Sequence, residues 1–399
     1  MIPLSVIVCV SIIPQILFYF TDIYYNTQGI RRSGKSKLLE AFINYIVSTE
    51  TNSNIIHINF NNDEFENLLE YHALLQYIKD NYKADKSNYV FIDEIQMCPD
   101  FEKAVNSLHA SEKYDIYITG SNAFLLSSDL ATLFTGRTFT IEVFPFSFNE
   151  YMEYYQFDNT YDAYRKYLLE GGMPGSYVYR NEADKAKYIS DVFDTLILRD
   201  IKQKYKIRND MVLSKITDYL TDNISNLTSP GKLTNEITGR GDKVDHKTVD
   251  KYIGYLCKAF AFYKIKRYDI QGKKYLSTTE KYYLSDHSFK YARLGSKNPD
   301  YGRILENIVA IELIRRGYEI YVGLLYKKEV DFVALKRNEK IYIQVSHSIE
   351  DEKTKERELD PLRRIKDAYP KMLITRTGYT EYDIEGIKII DIADWLAQD

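Results

Sequence analysis

The segment Gly29-Ile-Arg-Arg-Ser-Gly-Lys-Ser36 constrains this chain most, because the pattern GxxxxGK[ST] works only at the end of a strand and the start of a helix. The two glycines let the backbone curl so that successive N–H groups face a β-phosphate, and the following helix adds the positive end of its dipole. Lys37 to Ile46, apolar at helical spacing, is fit to be that helix. Lys35 is then placed to bridge the β- and γ-phosphates, and Ser36 to offer its hydroxyl to Mg²⁺. Arg31, Arg32 and Ser33 complete the loop, so the expected ATP-binding set is Gly29, Arg31, Arg32, Ser33, Gly34, Lys35 and Ser36. A chance glycine-rich turn before a helix is the alternative, and only further motifs can decide between the two.

Downstream, Tyr89-Val-Phe-Ile-Asp-Glu94 is an apolar run ending in two acids, the pattern of a buried parallel strand whose carboxyl end meets a ligand. Asp93 is expected to hold the metal through its water shell and Glu94 to polarise the attacking water. Asp115 to Thr119 reads as another strand that runs into Gly120-Ser-Asn122, which places Asn122 or Ser121 near a γ-phosphate. Ile55 to Phe60 and Thr138 to Phe144 read as further strands, and Phe65 to Tyr82 as a helix, so an αβα three-layer sheet follows. Arg137, just before the last strand, is either a stabiliser of transition-state charge, in its own subunit or a neighbour's, or a plain surface arginine.

The stretches GIRRSGKSKLLE, FIDEIQ, ITGSN, TGRTFTIEVFPFSFNEY and GGMPGSY, in this order, resemble the bacterial and archaeal AAA-type ATPases that carry a carboxyl-terminal domain of unknown function. The resemblance covers nearly everything from Gly29 onward. It implies ATP binding by Gly29, Gly34, Lys35 and Ser36, metal-linked hydrolysis through Asp93 and Glu94, and sensing by Asn122. Residues 1 to 28 depart from it: where relatives run a hydrophobic strand into the loop, this chain has Asp22-Ile-Tyr-Tyr-Asn-Thr-Gln28, weak as a strand. ATP binding without hydrolysis therefore stays open beside a Mg²⁺-dependent ATPase.

Helices are expected over Phe148 to Tyr155 and Asp162 to Glu170, then a break at Gly171-Gly-Met-Pro-Gly175 and a helix over Lys185 to Tyr205. Helical patterns at Met211 to Asn223, Leu233 to Ile237 and Lys247 to Ala259, followed by β-like Phe262 to Tyr268 and Lys281 to Leu284, read as a winged helix. Such a module offers Lys247, Lys251, Lys264, Lys266, Arg267, Lys273 and Lys274 to DNA phosphates, or serves a protein contact instead. In the last hundred residues, Glu306 on a helix, Asp331 ending a short strand, and Gln344-Val-Ser346 resemble the order of the PD-(D/E)xK nuclease fold. Gln344 and Ser346 stand where that fold has an acid and a lysine, so Glu306, Asp331 and Gln344 are expected to form a vestigial site, with a metal-dependent nuclease as the alternative reading.

The expected partition is an atypical hydrophobic segment at 1–28, an ATPase core at 29–147, a helical lid or linker at 148–208, a winged helix at 209–290 and a nuclease-like α/β domain at 291–399. The run from Met1 to Phe20 carries no charge, but Pro3 and Pro14 interrupt it and no Lys or Arg precedes it, which argues against a membrane span. Cys9, Cys98 and Cys257 show no metal-ligand spacing, so a reducing, cytoplasmic setting fits. A net charge of −4 gives no global attraction for nucleic acid, so any DNA contact must be local. The 37 tyrosines are scattered and read as filler of core and surface. A homo-oligomer is expected if Arg137 acts in trans.

Overall fold

A computed structural model describes residues 24–120, 138–239, 244–295 and 300–398. Ser121, Asn122 and Arg137, and the uncharged run from Met1, lie outside the described residues. The chain divides into two units: the first ends at Pro145 and also takes in Gln203–Tyr205, and the second holds Phe146–Lys202 and Lys206 onward.

In the first unit, strands β1 (Tyr24–Gln28), β2 (Ser53–Asn59), β3 (Ser87–Asp93), β4 (Asp115–Thr119) and β5 (Thr138–Glu142) form one sheet in the order β2-β3-β4-β1-β5. Every neighbouring pair is parallel, which obliges each connection to cross a face of the sheet. Helix α1 (Lys35–Thr49) covers one face with Leu38, Phe42 and Ile46, spaced to fall on one stripe. Helices α2 (Tyr71–Asp80) and α3 (Phe101–His109) cover the other, where Leu74, Ile78, Val105 and Leu108 meet Ile58, Val90 and Ile92. Alternation along β3 sends Phe91 to the α1 side, where Phe91, Tyr117 and Tyr25 stack at 4.8 Å centroid spacing with Phe42 set edge-on. The expected three layers are present.

Two local readings change. The helix expected from Phe65 to Tyr82 is a 3₁₀ turn, Asp63–Leu68, and then α2, because the carboxylate of Glu70 accepts from His72 N and Ala73 N and so starts a new helix. The weak segment before the loop is a central strand despite its polarity. Tyr25 stacks on Tyr117, Thr27 donates to the Ile118 carbonyl at 3.4 Å, and β1 pairs on both sides. The polarity leaves a mark: Asn26 Oδ1 and Gln28 Oε1 are buried without hydrogen-bond partners among the described residues.

The second unit begins with helices α4 (Phe148–Tyr155), α5 (Thr160–Glu170) and α6 (Glu182–Asp194). The helix expected to run through Tyr205 widens into a π-type turn over Thr195–Ile201 before Lys202–Tyr205. Gly171 and Gly172 bring the chain against Asp286, whose carboxylate accepts from Gly172 N at 2.6 Å; a Cβ on Gly171 would stand 2.3 Å from that carboxylate.

Helices α7 (Asp210–Asp222), α8 (Pro230–Gly239) and α9 (His246–Lys258) precede an antiparallel pair, β6 (Phe262–Asp269) and β7 (Lys274–Leu284). Then come α10 (Ser288–Leu294), α11 (Tyr301–Arg315), β8 (Glu319–Leu325), β9 (Lys328–Lys336), β10 (Glu339–Ser346), α12 (Glu352–Arg363), β11 (Lys371–Thr375), β12 (Tyr382–Ile384), β13 (Ile387–Asp391) and α13 (Ile392–Ala397). The eight strands make one mixed sheet, β12-β13-β11-β10-β9-β8-β6-β7. Residues 209–290 and 291–399 thus share a sheet: β6 pairs in parallel with β8 from Arg267 to Asp269, and no break falls at 290.

Candidate active site

Because all five strands of the first sheet point one way, the ends of β1, β3 and β4 lie on one edge. The registers Thr27–Thr119 and Ile92–Ile118 make them level. Gly29, which follows β1, and Asp93, which ends β3, are therefore about two strand spacings apart, roughly 10 Å, with β4 between them.

The loop itself is curled. Gly29 has φ 146° and Gly34 φ 108°, and Arg32 enters the left-handed region at φ 65°. A Cβ on Gly29 would stand 2.0 Å from the Val143 carbonyl oxygen, so no other residue fits. Lys35 Nζ donates to the carbonyls of Gly29 and Ile30 at 2.9 and 3.0 Å, which holds the ammonium across the mouth of the loop. Ser33 is buried and its hydroxyl lacks a partner among the described residues, while Arg31 and Ser36 are half-buried and Arg32 is exposed.

Asp93 is 2% exposed, and the hydroxyl of Thr119 donates to its Oδ1. The same hydroxyl accepts from Glu94 N at 3.3 Å, so one side chain at the end of β4 fixes both acids of β3. Glu94 has φ 57°, a left-handed conformation that side chains adopt reluctantly, and Gln96 donates to its carboxylate. Thr119 was readable as a strand end but not as the residue that joins the two acids.

A second cluster lies in the other unit. Glu306 (α11), Asp331 (β9) and Gln344 (β10), expected together from the sequence, are neighbours around Lys281 of β7. Lys281 Nζ lies 2.7 Å from Glu306, 2.7 Å from Glu329 and 3.6 Å from Asp331. Ser346 stands at the motif position of the lysine, and the lysine found among these acids arrives from a strand earlier in the chain. It is brought there because the Asn307 amide bonds both backbone groups of Leu284, pinning α11 to the end of β7.

Gln344 accepts from Asp331 N at 3.3 Å and donates to Glu358 at 2.8 Å, and Val345 N donates to Asp331 Oδ2 at 2.9 Å. Burial pushes the carboxyls of Asp331 and Glu306 above their usual range, and for Asp331 the neighbouring Glu306 adds to it. Burial alone would lower Lys281, but Glu306, Asp331 and Glu329 outweigh it and hold the ammonium charged. The ammonium sits where such acids would otherwise gather a cation, and no group of metal-ligating side chains with metal-site geometry occurs among the described residues.

Among the basic residues expected to face DNA, Lys264 is paired with Glu280 at 2.8 Å and Arg267 donates to Thr279, so those two are engaged within the hairpin. No described helix is long and apolar enough to cross a membrane.

An AAA domain model matches residues 25–152, and two models of domains of unknown function match residues 161–300 and 301–395. An uncharacterised protein of Haemophilus influenzae is 39% identical over 392 residues, 96% of each chain. One from Methanocaldococcus jannaschii is 28% identical over 382 residues, 92% of this chain and 83% of that one. Among solved structures, a Walker-type ATPase of Pyrococcus abyssi covers 70% of this chain and 93% of its own at 17% identity and a TM-score of 0.45. DnaA from Aquifex aeolicus, bound to AMPPCP, covers 62% and 86% at 18% identity and a TM-score of 0.29. Identity across nearly the full length of both chains places this protein in one family with the Haemophilus influenzae protein, and its amino-terminal part, residues 25–152, matches the AAA domain model.

Proposed function

We propose that the first unit binds Mg-ATP and hydrolyses it, as the driver of a nucleotide-dependent switch coupled to DNA or to a protein partner. The observation that carries this is the shared sheet edge, which sets the curled Gly29–Ser36 loop level with Asp93 and Glu94. Backbone N–H groups of the loop, with Lys35, would take the phosphates, aided by Arg31, Arg32 and Ser33 around the curl. Ser36 and, through water, Asp93 would hold Mg²⁺; the carboxylate of Asp93 is buried and oriented by the Thr119 hydroxyl. When bound, the ion neutralises charge on phosphate oxygens. Glu94, held by Thr119 and Gln96, would accept a proton from the attacking water. Asn122 and Arg137 keep their proposed roles as γ-phosphate sensor and stabiliser of transition-state charge; if Arg137 acts in trans, the working form is a homo-oligomer.

In the second unit, we assign α7 to α9 with the β6–β7 hairpin to a winged-helix element, whose remaining basic residues are Lys247, Lys251, Lys266, Lys273 and Lys274. The sheet from β8 onward is read as a nuclease-like scaffold without cleavage activity, since Lys281 neutralises its acids. A cytoplasmic setting supplies the ATP. The assay is phosphate release from Mg-ATP by the full chain, with and without duplex DNA. Turnover that DNA stimulates supports the coupled reading. ATP binding with no phosphate release would favour the non-hydrolysing, ATP-gated form instead.

A further inference from the structure

In the second unit β10, β11 and β13 are parallel, and the registers Ser346–Thr375 and Thr375–Asp391 bring their carboxyl ends level. The carboxyl edge of parallel strands is where α/β sheets hold ligands. Here a cavity of about 380 Å³ opens, lined from the strand ends by His347, Arg376, Thr377 and Asp391 and from α5 by Tyr164 and Arg165. That volume falls at the lower end of small-molecule sites, about 300–1,000 Å³.

Its polar groups are unsatisfied in one direction. Tyr164 is 2% exposed, yet its hydroxyl has no hydrogen-bond partner among the described residues, and the same is true of the buried Nδ1 of His347. Arg165 and Arg376 form no hydrogen bond or ion pair among the described residues. The carboxylate of Asp391 is already committed: Thr377 N, Gly378 N and Ala393 N each donate to it at 2.8 Å. Glu350, exposed, is the other acid in the lining. Burial first and Arg376 second hold His347 below its usual range, so at neutral pH the imidazole is uncharged and can donate one N–H. Two unpaired guanidinium groups beside two unmet hydrogen-bonding groups suit an oxyanion, and guanidinium matches phosphate in shape as well as charge.

We propose that this cavity binds a phosphomonoester, with Arg165 and Arg376 on the phosphate oxygens and Tyr164 and His347 donating hydrogen bonds to them. The same group is presented by a free mononucleotide and by the 5′-phosphate end of a nucleic acid. All of its lining residues belong to the second unit.

The test uses the full chain carrying Lys35→Ala, which silences the loop, and measures binding of AMP, adenosine, and 5′-phosphorylated and 5′-hydroxyl oligonucleotides by calorimetry. AMP or the 5′-phosphorylated strand binds, and its counterpart without phosphate does not. Arg376→Gln weakens that binding by at least about tenfold, and Tyr164→Phe weakens it as well. Arg376 is exposed, so the variant is expected to fold, which its melting curve checks. AMP binding assigns the site to small molecules, and binding of the phosphorylated strand alone assigns it to nucleic-acid ends. If neither probe binds, or if Arg376→Gln and the loss of the phosphate leave affinity unchanged, the proposal fails.

Discussion

Replacing Lys281 with Met tests what holds the second unit together. The side chain is 3% exposed and faces Glu306 at 13%, Asp331 at 10% and Glu329 at 34% exposure. Methionine keeps the length and apolar stem but removes the one cation. Tyr283 and Val345 N still donate to Glu306 and Asp331, so part of the charge stays solvated by the protein. Removing one partner of a buried ion pair destabilises by about 3–5 kcal/mol, and the half-exposed Glu329 contributes little to that figure because water screens it. For a unit of this size each kcal/mol moves the midpoint by about 2–4 °C, so the transition should fall by about 6–20 °C. Calorimetry of the full chain reads it, and Lys281→Met/Glu306→Gln should recover part of the loss, since it also removes the charge left uncompensated. A single variant melting within about 2 °C of the parent would refute the reasoning.

Asp331→Asn probes the same cluster through pH. Because burial and Glu306 raise the native carboxyl, the native state keeps a proton that the unfolded chain releases near pH 4, and stability falls as pH rises through the native value. Lys281 is raised in the same sense but in a higher window: its contribution is complete below its unfolded value of about 10.4 and is lost as pH rises from there through its native one, so it adds no slope near neutrality. Melts from pH 5 to 9, a range of about four units around neutrality, should show a shallower decline in the variant; an identical slope would count against the assignment. Thr119→Val keeps the shape and deletes the hydroxyl shared by Asp93 and Glu94 N. The Mg²⁺ concentration for half-maximal turnover should rise by roughly tenfold, and an unchanged value would mean that Thr119 does not orient Asp93.

Legibility followed chemistry. The loop and the acid-tipped strand were readable because each is a contiguous pattern whose residue types have one physical use, and β3 and β4 matched their readings nearly residue for residue. β1 read as weak because Asn26, Thr27 and Gln28 are poor strand residues; pairing on both edges and the Tyr25–Tyr117 stack override propensity there. Glu306, Asp331 and Gln344 could be grouped by analogy of order. Lys281 could not, since nothing local marks a lysine at the end of a hairpin as the partner of acids 25 and 50 residues on. The shared sheet was hidden for the same reason: Glu319–Leu325, which bridges β6 and β9, went unread, and without it nothing marked the hairpin as continuous with the strands that follow.

Phosphate release from Mg-ATP by the purified chain, beside Lys35→Ala and Glu94→Gln, tests the account most directly. The parent should turn over only with Mg²⁺, Lys35→Ala should lose nucleotide affinity, and Glu94→Gln should bind ATP yet slow by about 10²–10⁴-fold. Equal phosphate release from all three proteins would contradict it.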